Sequence, residues 1–193
     1  LQVHYKLKKY KHLIVSPHYT HAALVKMINK EIENKKAGLP CGIKLKLNAI
    51  TNFSMINKLY EASQAGVSIQ MVVRGICCLI PGVKDMSENI EVISIVDRYL
   101  EHPRLYIFEN GGKQKVYISS ADFMTRNIEN RVEVAAPIYD VSLKKQIIDV
   151  FDIIWMDNIK SRIINKKPQN KFRKTSDKPV RSQWAIYDYY KKL

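Results

Sequence analysis

The sequence predicts an α/β domain, a sheet flanked by helices, followed by a C-terminal basic segment and a docking helix. Three observations carry this. Hydrophobic spacing alternates along the chain between two and about 3.6 residues, the periods of strands and helices. The 193 residues are 46% hydrophobic and 26% charged, a globular balance rather than a disordered one. No uninterrupted apolar run approaches the roughly 18–20 residues of a membrane span.

The elements follow in order. Residues 12–15 form a short apolar run ending at Ser16-Pro17 and read as a strand. Thr20 is placed to cap a helix over residues 21–34, in which Leu24, Ile28 and Ile32 recur every four residues. Residues 43–49 alternate as a half-buried strand with Lys44, Lys46 and Asn48 on the polar face. A second helix over 53–65 gathers Met55, Ile56, Leu59 and Ala62 on one side and stops at Gly66. Residues 67–74 make the next strand, ending on Arg74. Two strand–helix units leading into a third strand favour parallel pairing. Residues 75–89 form a loop whose length suggests function.

Further strands are expected over 90–95, 105–108, 116–120 and 132–136, the middle two joined as a hairpin by Asn110-Gly111-Gly112. Residues 143–156 carry Leu143, Ile147, Val150, Phe151 and Ile154 on one helical side, with Asp140 near the start. Residues 181–192 again read as a helix, with Trp184, Tyr187 and Tyr190 on one face. The division is therefore a main domain over 1–158, with a basic linker and packed helix over 159–193.

Charge narrows the partners. Lys and Arg total 32 against 18 acidic residues, a formal net charge of +14. Such a field attracts nucleic acid, anionic membranes, nucleotides or inorganic polyphosphate. Lys160, Arg162, Lys166, Lys167, Lys171, Arg173, Lys174 and Lys178 cluster around Pro168, either as a solvated linker or as a polyanion-binding arm. The first twelve residues are basic and Tyr-rich and lack the apolar core of a signal peptide; a start at Leu1 reads as a piece of something larger. Cys41, Cys77 and Cys78 have no zinc-site spacing, and the adjacent pair would make a strained disulfide. A reduced, cytoplasmic setting is favoured, with peripheral membrane association left open by the basic surface.

Two features point to phosphate. Arg74 ends a strand before Gly75 and a long loop, where open α/β sheets bind ligands, and a guanidinium can hold phosphate oxygens bidentately. A surface Arg paired with a nearby carboxylate is the competing reading. In Glu101-His102-Pro103-Arg104, an extended backbone would turn His102 and Arg104 to the same face. Ser120-Ala-Asp122 could add a hydroxyl and a carboxylate. This His-x-Arg arrangement is similar to the His-x-Lys signature of the phospholipase D superfamily, with Arg for Lys and Asp122 where Asn is common.

Longer blocks are more specific. Lys46-Leu-Asn48, Leu59-Tyr-Glu-Ala-Ser63-Gln-Ala-Gly-Val67, Val73-Arg-Gly-Ile-Cys-Cys-Leu-Ile-Pro-Gly82 and Ser87-Glu-Asn-Ile90 resemble the polyphosphate kinase pattern. So do Ser94-Ile-Val-Asp-Arg-Tyr-Leu-Glu-His102, Tyr106-Ile-Phe-Glu-Asn-Gly-Gly112, Val116-Tyr-Ile-Ser-Ser-Ala-Asp122, Arg126-Asn127, Arg131-Val-Glu133 and Trp184-Ala-Ile-Tyr-Asp-Tyr189. The resemblance runs in order over nearly the whole chain.

It implies a phospholipase D-like mixed sheet and reversible transfer of the terminal phosphoryl group of ATP to polyphosphate. It also implies a phosphohistidine in a preceding catalytic domain of the same parent chain, and Mg²⁺ whose ligands lie outside this fragment. Arg74 is then expected to bind nucleotide phosphates, and His102 to be a catalytic, nucleotide-contacting second histidine. Lys46, Asn48, Arg104 and Ser120 are further phosphate-contact candidates from their facing, and no metal ligand is assigned. His4, His12, His18 and His21 stand in other contexts and receive no role. The expected partners are ATP or ADP, polyphosphate and a homo-oligomer of the parent, with no nucleic acid. Alternatives are a phospholipase D-like phosphodiesterase or nuclease, and a non-catalytic polyanion-binding module.

Overall fold

Covering both faces of a sheet calls for apolar residues on both sides of a central strand, and the buried run Leu105, Tyr106, Ile107 and Phe108 supplies them here. The computed structural model describes residues 10–167, 169–175 and 178–193. His4 and Pro168 lie outside the described residues, as do the first nine residues of the basic N-terminal stretch.

The strands are β1 (Ile14–Val15), β2 (Ile43–Leu47), β3 (Ile69–Val73), β4 (Ile90–Ile95), β5 (Arg104–Phe108), β6 (Lys115–Ser119), β7 (Val134–Ile138) and β8 (Ser161–Ile164). They form one mixed sheet in the order β1-β7-β6-β5-β2-β3-β4-β8. The parallel pairing expected from the strand–helix units holds for β2–β3 and β3–β4. β1 instead crosses to the far edge and pairs antiparallel with β7. β5 and β6 form the expected hairpin through the turn Asn110–Gly112.

Helices α1 (Thr20–Lys36) and α2 (Phe53–Gln64) cover one face. Leu24, Ile28, Met55, Leu59 and Ala62 meet Ile43, Leu45, Met71, Val73 and Tyr106 there in the larger core. Helix α3 (Val141–Trp155) covers the other face, where Phe151 and Ile154 pack on Val72, Ile93, Ile107 and Val116. α4 (Ser182–Tyr190) packs beside α3, and its Tyr189 hydroxyl donates to Asp149 at 2.8 Å. No helix among the described residues is long and apolar enough to cross a membrane.

Four local expectations are corrected. Thr20 does not cap α1; Tyr19 holds that position without a side-chain bond, and the Thr20 hydroxyl accepts from Ser16 at 2.7 Å. The lysine face of β2 is not open to water: Lys44 pairs with Asp152 of α3 at 2.6 Å, and Lys46, paired with Glu101, is only 3% exposed. The basic segment after residue 159 contains a strand, β8, on the sheet edge beside β4. Trp184, Tyr187 and Tyr190 face outward; the buried residue of α4 is Ser182.

Two buried carboxylates tie the elements together. Asp157, fully buried, accepts from the backbone N–H groups of Ile159, Lys160 and Ser161 on one oxygen and of Ser182 on the other. It joins the end of α3, the start of β8 and the start of α4. Asp122, 5% exposed, accepts from the N–H groups of Asn48 (2.7 Å) and Ala49 (3.2 Å). Arg104 grips it with Nε at 3.2 Å and Nη2 at 2.8 Å. Burial pushes the Asp122 carboxyl up, but the Arg104 bonds and the two backbone donors outweigh it and hold the carboxyl below its ordinary value of 3.8.

Each buried donor left without a partner costs about 1–3 kcal/mol. Asp157→Ala should therefore lower stability in urea denaturation by about 3 kcal/mol or more, whereas Lys145→Ala, which removes an exposed helix pair, should leave the midpoint in place. For Asp122 the folded pKa is depressed, so its contribution is complete above 3.8 and is lost as pH falls through the folded value. Asp122→Asn should cost about 3 kcal/mol or more at neutral pH by loss of a buried ion-pair partner. The gap to the unsubstituted chain should close on acidification below that value, as read by denaturation at stepped pH.

Candidate active site

The carboxyl ends of β2, β3 and β6 and the amino end of β5 lie side by side at one end of the sheet. An open cleft of about 600 Å³ lies there, and Asn48, Arg74, His102, Arg104, Ser120 and Asp122 are among its walls. Five of the six residues expected at the site thus meet in one place. Lys46 is the exception: it does not line the cleft.

Arg74 reaches the cleft because β3 ends against the backbone of β2. Gly75 donates its N–H to the Asn48 carbonyl at 2.7 Å, and a Cβ at Gly75 would stand 2.8 Å from that same oxygen. Only glycine fits so close an approach. The Arg74 guanidinium then donates from Nε (3.1 Å) and Nη2 (2.9 Å) to the Asn48 side-chain oxygen. Its Nη2 also lies 3.3 Å from Nδ1 of His102. An arginine has no acceptor, so Nδ1 accepts and carries no proton, leaving the ring proton on Nε2.

The two arginines have divided roles. Arg104 is spent on Asp122 and on the His102 carbonyl, to which its Nη1 donates at 3.1 Å. His-x-Arg spacing on an extended backbone turns Arg104 to the face of His102, but Arg104 holds the backbone of His102 and Arg74 touches the ring. Arg74 contacts only neutral groups, the Asn48 amide and His102, so within the described residues its charge is not matched by a carboxylate. His102 is exposed at the rim.

Lys46 sits behind the cleft and pairs with Glu101 at 3.4 Å. Burial lowers its pKa, and the Glu101 carboxylate opposes that fall. Ser120 is at the cleft, but its hydroxyl donates to Glu133 and accepts from the Val134 N–H at 3.1 Å. Glu133 also accepts from Asn127 at 2.6 Å. Arg126 and Arg131 add exposed cations to the wall. Residue type and spacing alone assign these last four no role. The signal lay in the blocks Arg126-Asn127 and Arg131-Val-Glu133, which a single π-helical turn, Arg126–Asn130, and the entry to β7 fold back over the cleft.

The cleft carboxylates are committed. Asp122 serves Arg104 and two backbone N–H groups, and Glu133 serves Ser120 and Asn127. Among the described residues no group of three or more His, Cys, Asp or Glu is placed to hold a metal ion. The residues present do not fit a Mg²⁺ site. What they fit is an anion: one unmatched guanidinium, an imidazole N–H and two further arginines around an open space.

Comparison with known proteins agrees with this chemistry. The family model described as polyphosphate kinase C-terminal domain 2 matches residues 13–183. Polyphosphate kinase of Escherichia coli K12 is 48% identical over 190 residues, 98% of this chain and 28% of that protein. The Vibrio cholerae polyphosphate kinase is 49% identical over 186 residues, 96% of this chain and 26% of that one. The crystal structure of polyphosphate kinase from Porphyromonas gingivalis superposes with a TM-score of 0.92 at 45% identity, over 95% of this chain and 28% of that chain. Nuc from Salmonella typhimurium, a phospholipase D family member, matches at a TM-score of 0.58 and 15% identity, over 80% of this chain and 97% of its own, which shows the shared fold alone. The chain spans little more than a quarter of the length of the curated relatives it matches. With its phospholipase D-like fold, the chain belongs to the polyphosphate kinase C-terminal domain 2 family.

Proposed function

We propose that the parent chain of this domain reversibly transfers the terminal phosphoryl group of ATP to inorganic polyphosphate, and that this cleft holds the nucleotide phosphates. The observation that carries the reading is the Arg74–His102 contact: an unmatched guanidinium bonded to an imidazole at the mouth of an open, basic cleft. Phosphoryl transfer needs little from a protein beyond positioning and cations that hold the charge spread over the transferring oxygens. Arg74 is oriented by Asn48 to do the first and charged to do the second. Nδ1 of His102 is occupied by Arg74, so its Nε2–H acts as a donor to a phosphate oxygen rather than as a nucleophile.

The phosphoryl acceptor then has to come from elsewhere, and the family resemblance puts it on a histidine of a preceding domain. Mg²⁺ would be held by ligands outside this domain. The basic surface suits polyphosphate, whose binding should weaken steeply with salt. Unpaired thiols at Cys41, Cys77 and Cys78 suit a cytoplasmic setting. Homo-oligomeric assembly and indifference to nucleic acid follow the family resemblance, and the basic surface suits peripheral membrane association.

In the full-length parent enzyme, His102→Ala and Arg74→Ala should each reduce ATP-dependent polyphosphate synthesis by about 10²-fold or more, as removal of a transition-state donor does, with the thermal unfolding midpoint kept. Wild-type rates in either variant would remove that residue from the site. The domain alone should make no polyphosphate, and robust synthesis by it would sink the division of labour proposed.

A further inference from the structure

His102 lies on residues 96–103, the link between β4 and β5, and this link has no strand pairing of its own. Burial does not hold it either, since Val96 is 70% exposed, Tyr99 56% and Leu100 76%. Polar bonds fix it, and most come from one short stretch of α4 and its cap. Arg181 grips Asp97 bidentately, Nε to Oδ2 at 2.8 Å and Nη2 to Oδ1 at 2.7 Å. Gln183 closes a two-point clamp on the Tyr99 backbone, accepting from its N–H at 3.1 Å and donating to its carbonyl at 2.9 Å. The same Gln183 amide donates to Glu101 at 3.0 Å, and Glu101 pairs on its other oxygen with the buried Lys46. Trp184 meets the Tyr99 ring edge-on at 6.3 Å between centroids.

We infer that Gln183, assisted by Arg181, is a positioning residue for His102. α4 is anchored well enough to serve: its first N–H is held by Asp157, and Tyr189 bonds to Asp149 on α3. Gln183 bonds to the first and third residues of Tyr99-Leu-Glu101, immediately before His102, and so fixes the backbone that sets the ring beside Arg74. Lys46 acts through the same relay. This assigns the buried lysine a purpose that phosphate contact does not, because it anchors Glu101 and through it the approach to His102. The inference rests on His102 acting at the nucleotide phosphates.

The test uses the full-length parent enzyme. Gln183→Glu keeps the shape and the acceptor but loses both donated bonds and sets a carboxylate against Glu101. It should lower kcat about tenfold, the scale expected when a reacting group is misplaced by a fraction of an ångström, with KM for ATP within about twofold and the melting temperature unchanged. Arg181→Lys, which keeps the charge and gives up the bidentate grip, should show the same split with a smaller loss. In a His102→Gln background, which retains a side-chain amide donor and residual turnover, Gln183→Glu should cost less than about twofold, because residues acting as one unit are not additive. An additive loss there would make Gln183 merely structural and overturn the inference. Wild-type kcat in both single variants, with His102→Ala still inactive, would overturn it while leaving the reading of His102 intact. A fully active His102→Ala would overturn both.

Discussion

The carboxylate of Asp122 is the constraint on which the site depends. It accepts five hydrogen bonds, from the backbone and side chain of Asn48, from the Ala49 N–H and from two nitrogens of Arg104. A buried charge this well matched is affordable only while every donor stays in place, and the donors belong to the ends of β2 and β5. The bonds therefore lock those two ends together. Once Asn48 is fixed, its side-chain oxygen orients Arg74 and its carbonyl leaves room for no residue but Gly75. Much of the geometry around the cleft descends from one anion that substrate need never touch.

This explains why two arginines of similar surroundings end with opposite duties. Arg104 is neutralised by a carboxylate and supports the backbone of His102, so it behaves as framework. Arg74 is bonded to neutral acceptors, which orient the guanidinium without consuming its charge. Orientation without neutralisation is what a phosphate site requires, since a matched ion pair has little attraction left for a third charge. The same contrast separates Lys46, buried and paired with Glu101, from the exposed Arg126 and Arg131.

Much of the architecture was legible from periodicity. The amphipathic stripes of α1 and α2 and the β5–β6 hairpin follow from spacing and turn chemistry that act locally. Arg74 and His102 stood out separately in the sequence, although residues 28 apart reveal nothing by themselves about the contact they make. What was illegible depends on partners distant in sequence. Lys44 and Lys46 alternate as if facing water because spacing cannot show that Asp152 on α3, about a hundred residues later, meets the first and Glu101 the second. Ser161–Ile164 is too short and too basic in context to stand out, and it becomes a strand because β4 offers it an open edge. The Trp184 face of α4 looks like a docking stripe, whereas that helix is held mainly by capping bonds and by Ser182 and Ile186. Arg104 shared the expected neighbourhood but not the expected partner, since a nearby buried carboxylate outcompetes an imidazole for a guanidinium.

The Asp157 junction, which starts α4, has a consequence for the order in which the molecule is made. Gln183 and Arg181 stand 84 residues downstream of the loop positions they hold. A ribosome delivers β2, β3, β5 and β6, and with them the Asp122 lock, well before it delivers α4. An emerging chain can thus shape its cleft and orient Arg74 while the histidine loop is still unfastened. The nascent domain can orient Arg74 early and fasten the His102 loop late, so the two sides of the Arg74–His102 contact are settled at different times.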